Sequence, residues 1–176
     1  MASERRLLWQ ESRYRIDVHR VPTRSGVPIE RAFIDHPGAV VVWAEDADGR
    51  VAMIRNQRHA IGARLRELPA GTLRPGEDPS LAAARELEEE TGLCAARVEP
   101  LGAFYLAPGS SNERMFAFLA RELRAGAQQL DDDEDIEVVW VARDVLDADV
   151  AAGRIDAAST LACWALRRAR ADDPGR

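Results

Sequence analysis

The sequence predicts an α/β fold: a mixed β-sheet flanked by helices, with a small antiparallel β-region at its N-terminal end. Three observations predict it. Residues 13–21 and 29–34 alternate polar and apolar side chains, the period of half-buried strands. Residues 39–43 form a short, unbroken apolar run, as in a strand buried on both faces. Helical and strand-like segments then follow one another without strict alternation, which favours a mixed sheet over a doubly wound one.

The elements follow in order. Ser25-Gly26 is a turn between the two alternating segments, and Pro37-Gly38 breaks the chain. That break divides an N-terminal region, residues 1–38, from a main domain, residues 39–176. A turn signal at residues 46–49 joins the apolar run to a second strand at 51–55. Asp78-Pro79 is a helix start, with Asp at the N-cap and Pro in the first helical position. Alanine, leucine and glutamate continue to Thr91, and Gly92 suits the C-cap. Residues 101–106 and 115–120 read as strands separated by a loop. An acidic turn at 131–135 precedes a strand at 136–141, and residues 145–151 and 157–170 read as helices. Trp43, Trp140 and Trp164 are expected in the core. Trp9 lies outside the main domain and is available to an interface.

Composition narrows the function classes. A chain of 176 residues is one ordinary domain and can bury a core without disulfides or structural metal. A net charge of -6 argues against a duplex nucleic-acid binder, which needs a basic face. It leaves room for a small anionic substrate, because a bound cation inverts the local field. Cys94 and Cys163 form no CxxC pair and no zinc-spaced cluster with His19, His36 or His59, so both read as reduced, packed thiols. The N-terminus lacks the apolar core of a signal peptide, and no apolar run approaches the ~20 residues of a membrane span. The expectation is a soluble, cytoplasmic protein without membrane partners.

The informative stretch is residues 71–93, GTLRPGEDPSLAAARELEEETGL. On a helix over residues 79–91, Glu86, Glu89 and Glu90 fall within about 100° of arc, and Glu88 points roughly 200° from Glu86. Leu81, Ala84 and Leu87 line a separate apolar stripe. Three carboxylates on one face repel, unless Arg85, one turn before Glu89, and a divalent cation neutralise them. Oxygen-only ligands favour Mg²⁺ or Mn²⁺, and magnesium shares its shell readily with phosphates. This face is expected to be exposed in the absence of substrate. Taken alone, the helix could equally be a solvated surface.

The flanks decide between these readings. Gly71, Glu77, Arg85-Glu86, Leu87, Glu89-Glu90, Gly92 and Leu93 fit G-x5-E-x7-R-E-U-x-E-E-x-G-U, where U is a bulky aliphatic residue. The stretch therefore resembles the Nudix box, matched at every fixed position. The resemblance implies an α/β/α sandwich and a hydrolase that cleaves nucleoside diphosphates linked to another group. It implies Mg²⁺ (or Mn²⁺) held by Glu86, Glu89 and Glu90, with Arg85 orienting a glutamate and Glu77 in support.

Three further stretches resemble the ADP-ribose pyrophosphatase branch of that family. Residues 67–71 read ELPAG, in which the backbone carbonyl at Ala70 would join the metal shell. Pro108 stands sixteen positions past Gly92, where the branch has a marker proline. Pro108-Gly109-Ser110-Ser111-Asn112-Glu113 matches a mobile loop whose glutamate, here Glu113, helps activate water. Arg58 matches an arginine that contacts substrate. The resemblance thus implies Glu113, Glu89 and Arg85 in catalysis, Arg58, Glu67 and Pro108 at the substrate, and Ala70, Glu86, Glu89 and Glu90 at the metal. The chain departs from the branch where Ser110 replaces an aromatic, Asn112 replaces a frequent Asp, and Asn56-Gln57 replaces a glutamine–aromatic pair.

ADP-ribose is the substrate this resemblance favours. Another nucleotide sugar or a dinucleoside polyphosphate is the nearest alternative, and a catalytically silent nucleotide sensor a more distant one. The N-terminal strands fit a small β-domain swapped across a homodimer. Strands with so little sequence of their own to cover them are also expected to pack on a second subunit.

Overall fold

The computed structural model describes residues 5–11, 13–132 and 134–171. Asp133, in the acidic turn, lies outside them. The strand over the apolar run, β4 (Ala39–Glu45), is buried along its whole length and sits at the centre of a seven-stranded mixed sheet. On one side it runs parallel to β9 (Arg114–Ala125), which pairs antiparallel with β8 (Leu93–Tyr105). On the other side lie β5 (Arg50–Arg58) and then β10 (Ile136–Ala142).

β4 and β5 pair only at one end, where Ala44 faces Ala52 and Glu45 faces Val51. Beyond that they part. The start of β4 takes β7 (Ala70–Thr72) as its neighbour, and the far half of β5 takes β6 (Ala63–Glu67). The Val42 N–H donates to the Pro69 carbonyl at 2.9 Å, so the segment between β6 and β7 fills the split. Pro69 suits that place because it has no N–H to leave unpaired.

The period of the strand explains why β4 is apolar throughout. Val40, Val42 and Ala44 face Ala82, Ala83 and Leu87 of α1 (Pro79–Thr91). Val41 and Trp43 face Leu146 of α2 (Arg143–Ala151) and Cys163 of α3 (Ala158–Ala171). A strand between two helical layers has no polar face, and the result is the expected α/β/α sandwich. α1 has the ends read from sequence. Asp78 Oδ1 accepts from the Ser80 N–H at 2.8 Å, and Gly92 closes the helix at φ 67°, its N–H donating to the Glu88 carbonyl.

Before this sandwich, β1 (Arg5–Gln10), β2 (Arg15–Val21) and β3 (Ile29–Asp35) form a separate antiparallel sheet in that order. An isolated parallel bridge from Ile34 to Ser111 links it to the loop between β8 and β9.

The structure corrects the assignment of Trp140 and places Trp164 against the core without burying it fully. Trp43 is fully buried, but Trp140 is 39% exposed, with the Arg50 guanidinium 5.5 Å from its ring centre. β10 is an outer strand, so its outward side chains meet solvent. Trp164 is only half-buried and donates its indole N–H to Asp147. Cys163 is the packed thiol, its pKa pushed up to about 12 by burial, whereas Cys94 is only partly covered. No helix among the described residues is long and apolar enough to cross a membrane.

Candidate active site

α1 presents its acidic face to the split between β4 and β5, and Arg85 organises it. The Arg85 guanidinium forks onto Glu77, donating through Nε and one terminal nitrogen at 2.8 Å each. Its other terminal nitrogen donates to both Glu86 and Glu89 at 2.7 Å. The Arg85 pKa is raised, first by the bond to Glu77, while the same bond holds Glu77 down at about 2. Glu77 also accepts from the Arg74 N–H, which fixes the loop ahead of the helix. Glu88 leaves the group, as its angle predicts, and lies beside Cys94 and Gly126.

The face is not exposed, contrary to the sequence expectation. Glu90 is 3% exposed, and its Oε2 accepts from the Ala70 N–H at 2.8 Å. Burial pushes the Glu90 pKa well above the usual carboxylate range, and burial is also the main reason that Glu86 is raised. A Cβ built on Gly71 would lie 2.0 Å from the Glu86 carboxyl carbon. A side chain there would push the Glu86 carboxylate out of its present place, which ties the first fixed glycine of the motif to the position of that carboxylate.

The three glutamates also do not meet at one point in this arrangement. Among the described residues no group of three His, Cys, Asp or Glu side chains is placed to hold a metal ion. Glu86 and Glu89 turn toward Arg85, and Glu90 turns toward Ala70. The donor set still fits a hard divalent cation. It is all oxygen, it adjoins the Ala70 backbone, and it contains two carboxylates whose ionised forms burial disfavours.

These groups line one wall of an open cavity of about 920 Å³. Tyr14, Arg15, Asp35 and His36, from the N-terminal sheet and the strand connections beside it, line another part, together with Arg58. The Tyr14 and His36 rings stack with centroids 6.2 Å apart. Sequence reading missed this contribution, because neither residue lies in a motif. Asp131 and Glu134, from the acidic turn, also reach the cavity rim. Arg74 was missed as well; it donates to Glu89 at 3.1 Å from the loop before the helix.

Of the remaining expected residues, Arg58 lines the cavity and the others lie behind or beside it. Arg58 donates through Nε and a terminal nitrogen to Glu67 Oε2 at 2.9 and 2.7 Å. Glu67 is 5% exposed, so it orients Arg58 from beneath and does not itself line the cavity. Pro108 and Glu113 lie outside the cavity lining, and Glu113 is half-buried. Their loop is stitched to β3. The Ile34 N–H donates to the Ser110 carbonyl, the His36 N–H to Asn112 Oδ1 at 2.7 Å, and the Asn112 amide to Asp35.

Comparison with known proteins agrees with this frame. The NUDIX domain family matches residues 35–161. An ADP-ribose pyrophosphatase of Bacillus subtilis is 40% identical over 70% of this chain and 68% of its own length. An ADP-ribose pyrophosphatase of Mycobacterium tuberculosis is 44% identical over 62% of this chain and 53% of its own length. A solved structure described as an ADP compounds hydrolase superposes with a TM-score of 0.79, covering 98% of this chain and 94% of its own at 19% identity. That last likeness speaks for the fold, and the first three speak for descent: this chain belongs to the Nudix hydrolase family.

Proposed function

We propose that this chain hydrolyses the diphosphate linkage of a nucleoside diphosphate derivative, with ADP-ribose as substrate and AMP and ribose 5-phosphate as products, in the cytoplasm. The observation that carries this reading is the pairing of two unlike walls in one cavity. Glu86, Glu89 and Glu90 supply oxygen ligands, while Arg58, Tyr14 and His36 supply a cation and ring faces. A volume of about 920 Å³ is of the size that takes a whole small-molecule ligand. The names of the two pyrophosphatase relatives support the choice of ADP-ribose.

Mg²⁺ or Mn²⁺ held by Glu86, Glu89, Glu90 and the Ala70 carbonyl would neutralise the diphosphate and lower the pKa of a bound water. The chain's own residues do the rest. Arg85, anchored by Glu77, fixes where Glu86 and Glu89 sit. Arg58, braced by Glu67, offers its guanidinium to the substrate. Glu113 takes the proton from water, with Pro108 at the turn of its loop; this requires the loop to move toward the cavity. Residues 1–38 form a dimerising unit and residues 39–176 the hydrolase domain.

The test is a panel of ADP-ribose, other nucleotide sugars and dinucleoside polyphosphates with Mg²⁺ or Mn²⁺, with products separated by chromatography. ADP-ribose should give AMP and ribose 5-phosphate with a kcat/KM at least about tenfold above the rest, roughly 1.4 kcal/mol of discrimination. A better nucleotide sugar or dinucleotide would overturn the substrate. Tight nucleotide binding without turnover of any compound would overturn the activity and leave a sensor.

A further inference from the structure

On the far side of the sheet from α1, three arginines gather around one carboxylate, with a fourth beside them. Glu45, at the end of β4, is 8% exposed. It accepts from the Trp43 indole N–H at 2.9 Å, from Arg121 Nε at 2.8 Å, from Arg143 at 2.8 Å and from Arg167 at 3.2 Å. Arg168, on the same helix as Arg167, pairs with Asp147. Among the described residues, two carboxylates thus ion-pair with these four guanidiniums, in a chain whose net charge is -6.

Two observations bear on what this cluster could hold. Arg167 is 7% exposed, yet among the described residues its Nε–H has no partner, and the buried Arg143 Nε–H has none among them either. Leaving such a donor buried and unpaired is costly, the more so for a charged group. Both residues line a cavity of about 120 Å³, together with Trp43, Arg168 and Ala171. At roughly 30 Å³ per water, that is space for about four waters, enough for a polyatomic ion. It is too small for a whole nucleotide, since such sites run from about 300 Å³ upward.

We propose that this cavity, formed by β4, α2 and α3, is a second binding site, specific for a small tetrahedral oxyanion: a phosphate, free or as the end of a phosphomonoester. Planar guanidiniums donate paired hydrogen bonds that match phosphate oxygens, and the free Nε–H groups supply the missing donors. The α1 cavity has arginines of its own, among them Arg58 and Arg85. The two sites are therefore told apart by which arginines respond when chelation has removed the metal.

The experiment uses the full chain in EDTA. The arginine Nε–Hε resonances are followed by NMR while inorganic phosphate is added, then ribose 5-phosphate in a parallel titration. Saturable shifts confined to Arg143, Arg167 and Arg168 are expected with phosphate. Equal shifts with ribose 5-phosphate assign the site to phosphomonoesters, and shifts with phosphate alone assign it to the free ion. Arg143→Gln and Arg168→Gln, both at partly exposed side chains, should each weaken binding at least about tenfold. Thermal melts that rise with phosphate in the wild type but not in these variants give a second readout. Absence of saturable shifts, or unchanged affinity in both variants, overturns the proposal. So does binding that emerges only after Asp172 and Asp173, next in sequence to Ala171, are changed to Asn; the chain's own tail would then be the occupant.

Discussion

Glu90 shows what the acidic face means at the scale of one residue. Its carboxyl is buried, and burial raises its pKa. A carboxyl whose folded pKa lies above its unfolded value contributes its stability below the unfolded pKa, near 4.5, and loses it as pH rises through the folded value. In metal-free protein at neutral pH an ionised Glu90 therefore opposes folding. Glu90→Gln removes that charge and keeps an oxygen to accept from the Ala70 N–H. In EDTA the variant should melt above the wild type, by about 2–4 °C for each kcal/mol relieved. Its kcat should fall by roughly 10²-fold or more, because several kcal/mol of charge stabilisation are lost. A variant that is both less stable in EDTA and fully active would remove Glu90 from the metal shell. Glu113 tests the base. Glu113→Gln should cut kcat by about 10²–10⁴-fold, with KM and the Mg²⁺ dependence little changed. Recovery at high Mg²⁺ would instead make it a metal ligand, and no loss at all would take it out of the reaction.

At the scale of elements, α1 and the loop before it act as one unit because Glu77 ties them through Arg85. The Glu77 carboxylate is held at about 2 by those hydrogen bonds. A depressed carboxyl contributes stability above its unfolded pKa, near 4.5, and loses it as pH falls toward 2. Denaturation measured along that acid limb should show Glu77→Gln with a shallower fall than the wild type. At pH 7 the same variant should be less stable and less active, because Arg85 loses its fork. Parallel curves for the two proteins would mean that the fork contributes nothing. α1 was legible in the sequence to its caps, since Asp78, Pro79 and Gly92 are local signals. The core run of β4 was legible for the same reason. β1, β6, β7 and the first half of β8 were not. β1 reads RRLLWQ and is exposed along its whole length, so no alternation marks it. β7 is three residues long and is defined by its partner β4, a long-range pairing that no local period encodes. The site divides in the same way. Box residues were legible by spacing, while Tyr14, His36, Arg74 and Glu134 come to the cavity only through the fold. The placement of Glu67 behind Arg58 likewise depends on β5 pairing with β6.

For the whole molecule, the N-terminal sheet is the least self-sufficient part. Leu7, Leu8, Trp9 and Ile29 are each 40% or more exposed on a sheet of only three strands. Small sheets need a cover for their apolar side, and contiguous exposed patches of this kind mark interfaces. The same sheet supplies Tyr14, Arg15 and Asp35 to the cavity and holds the Glu113 loop through Asn112. Assembly and activity should therefore fail together. Light scattering should find a homodimer at micromolar concentration. Leu7→Ser with Ile29→Ser should shift it toward monomer. Neither residue lines the cavity, so a fall in kcat/KM in step with dimer dissociation would tie the site to the assembled form. Deletion of residues 1–36 should lower kcat/KM further, since it removes the Tyr14–His36 stack as well as the hold on the Glu113 loop. A stable wild-type monomer would sink the assembly prediction. Full activity of the deletion would show that the main domain forms the site alone.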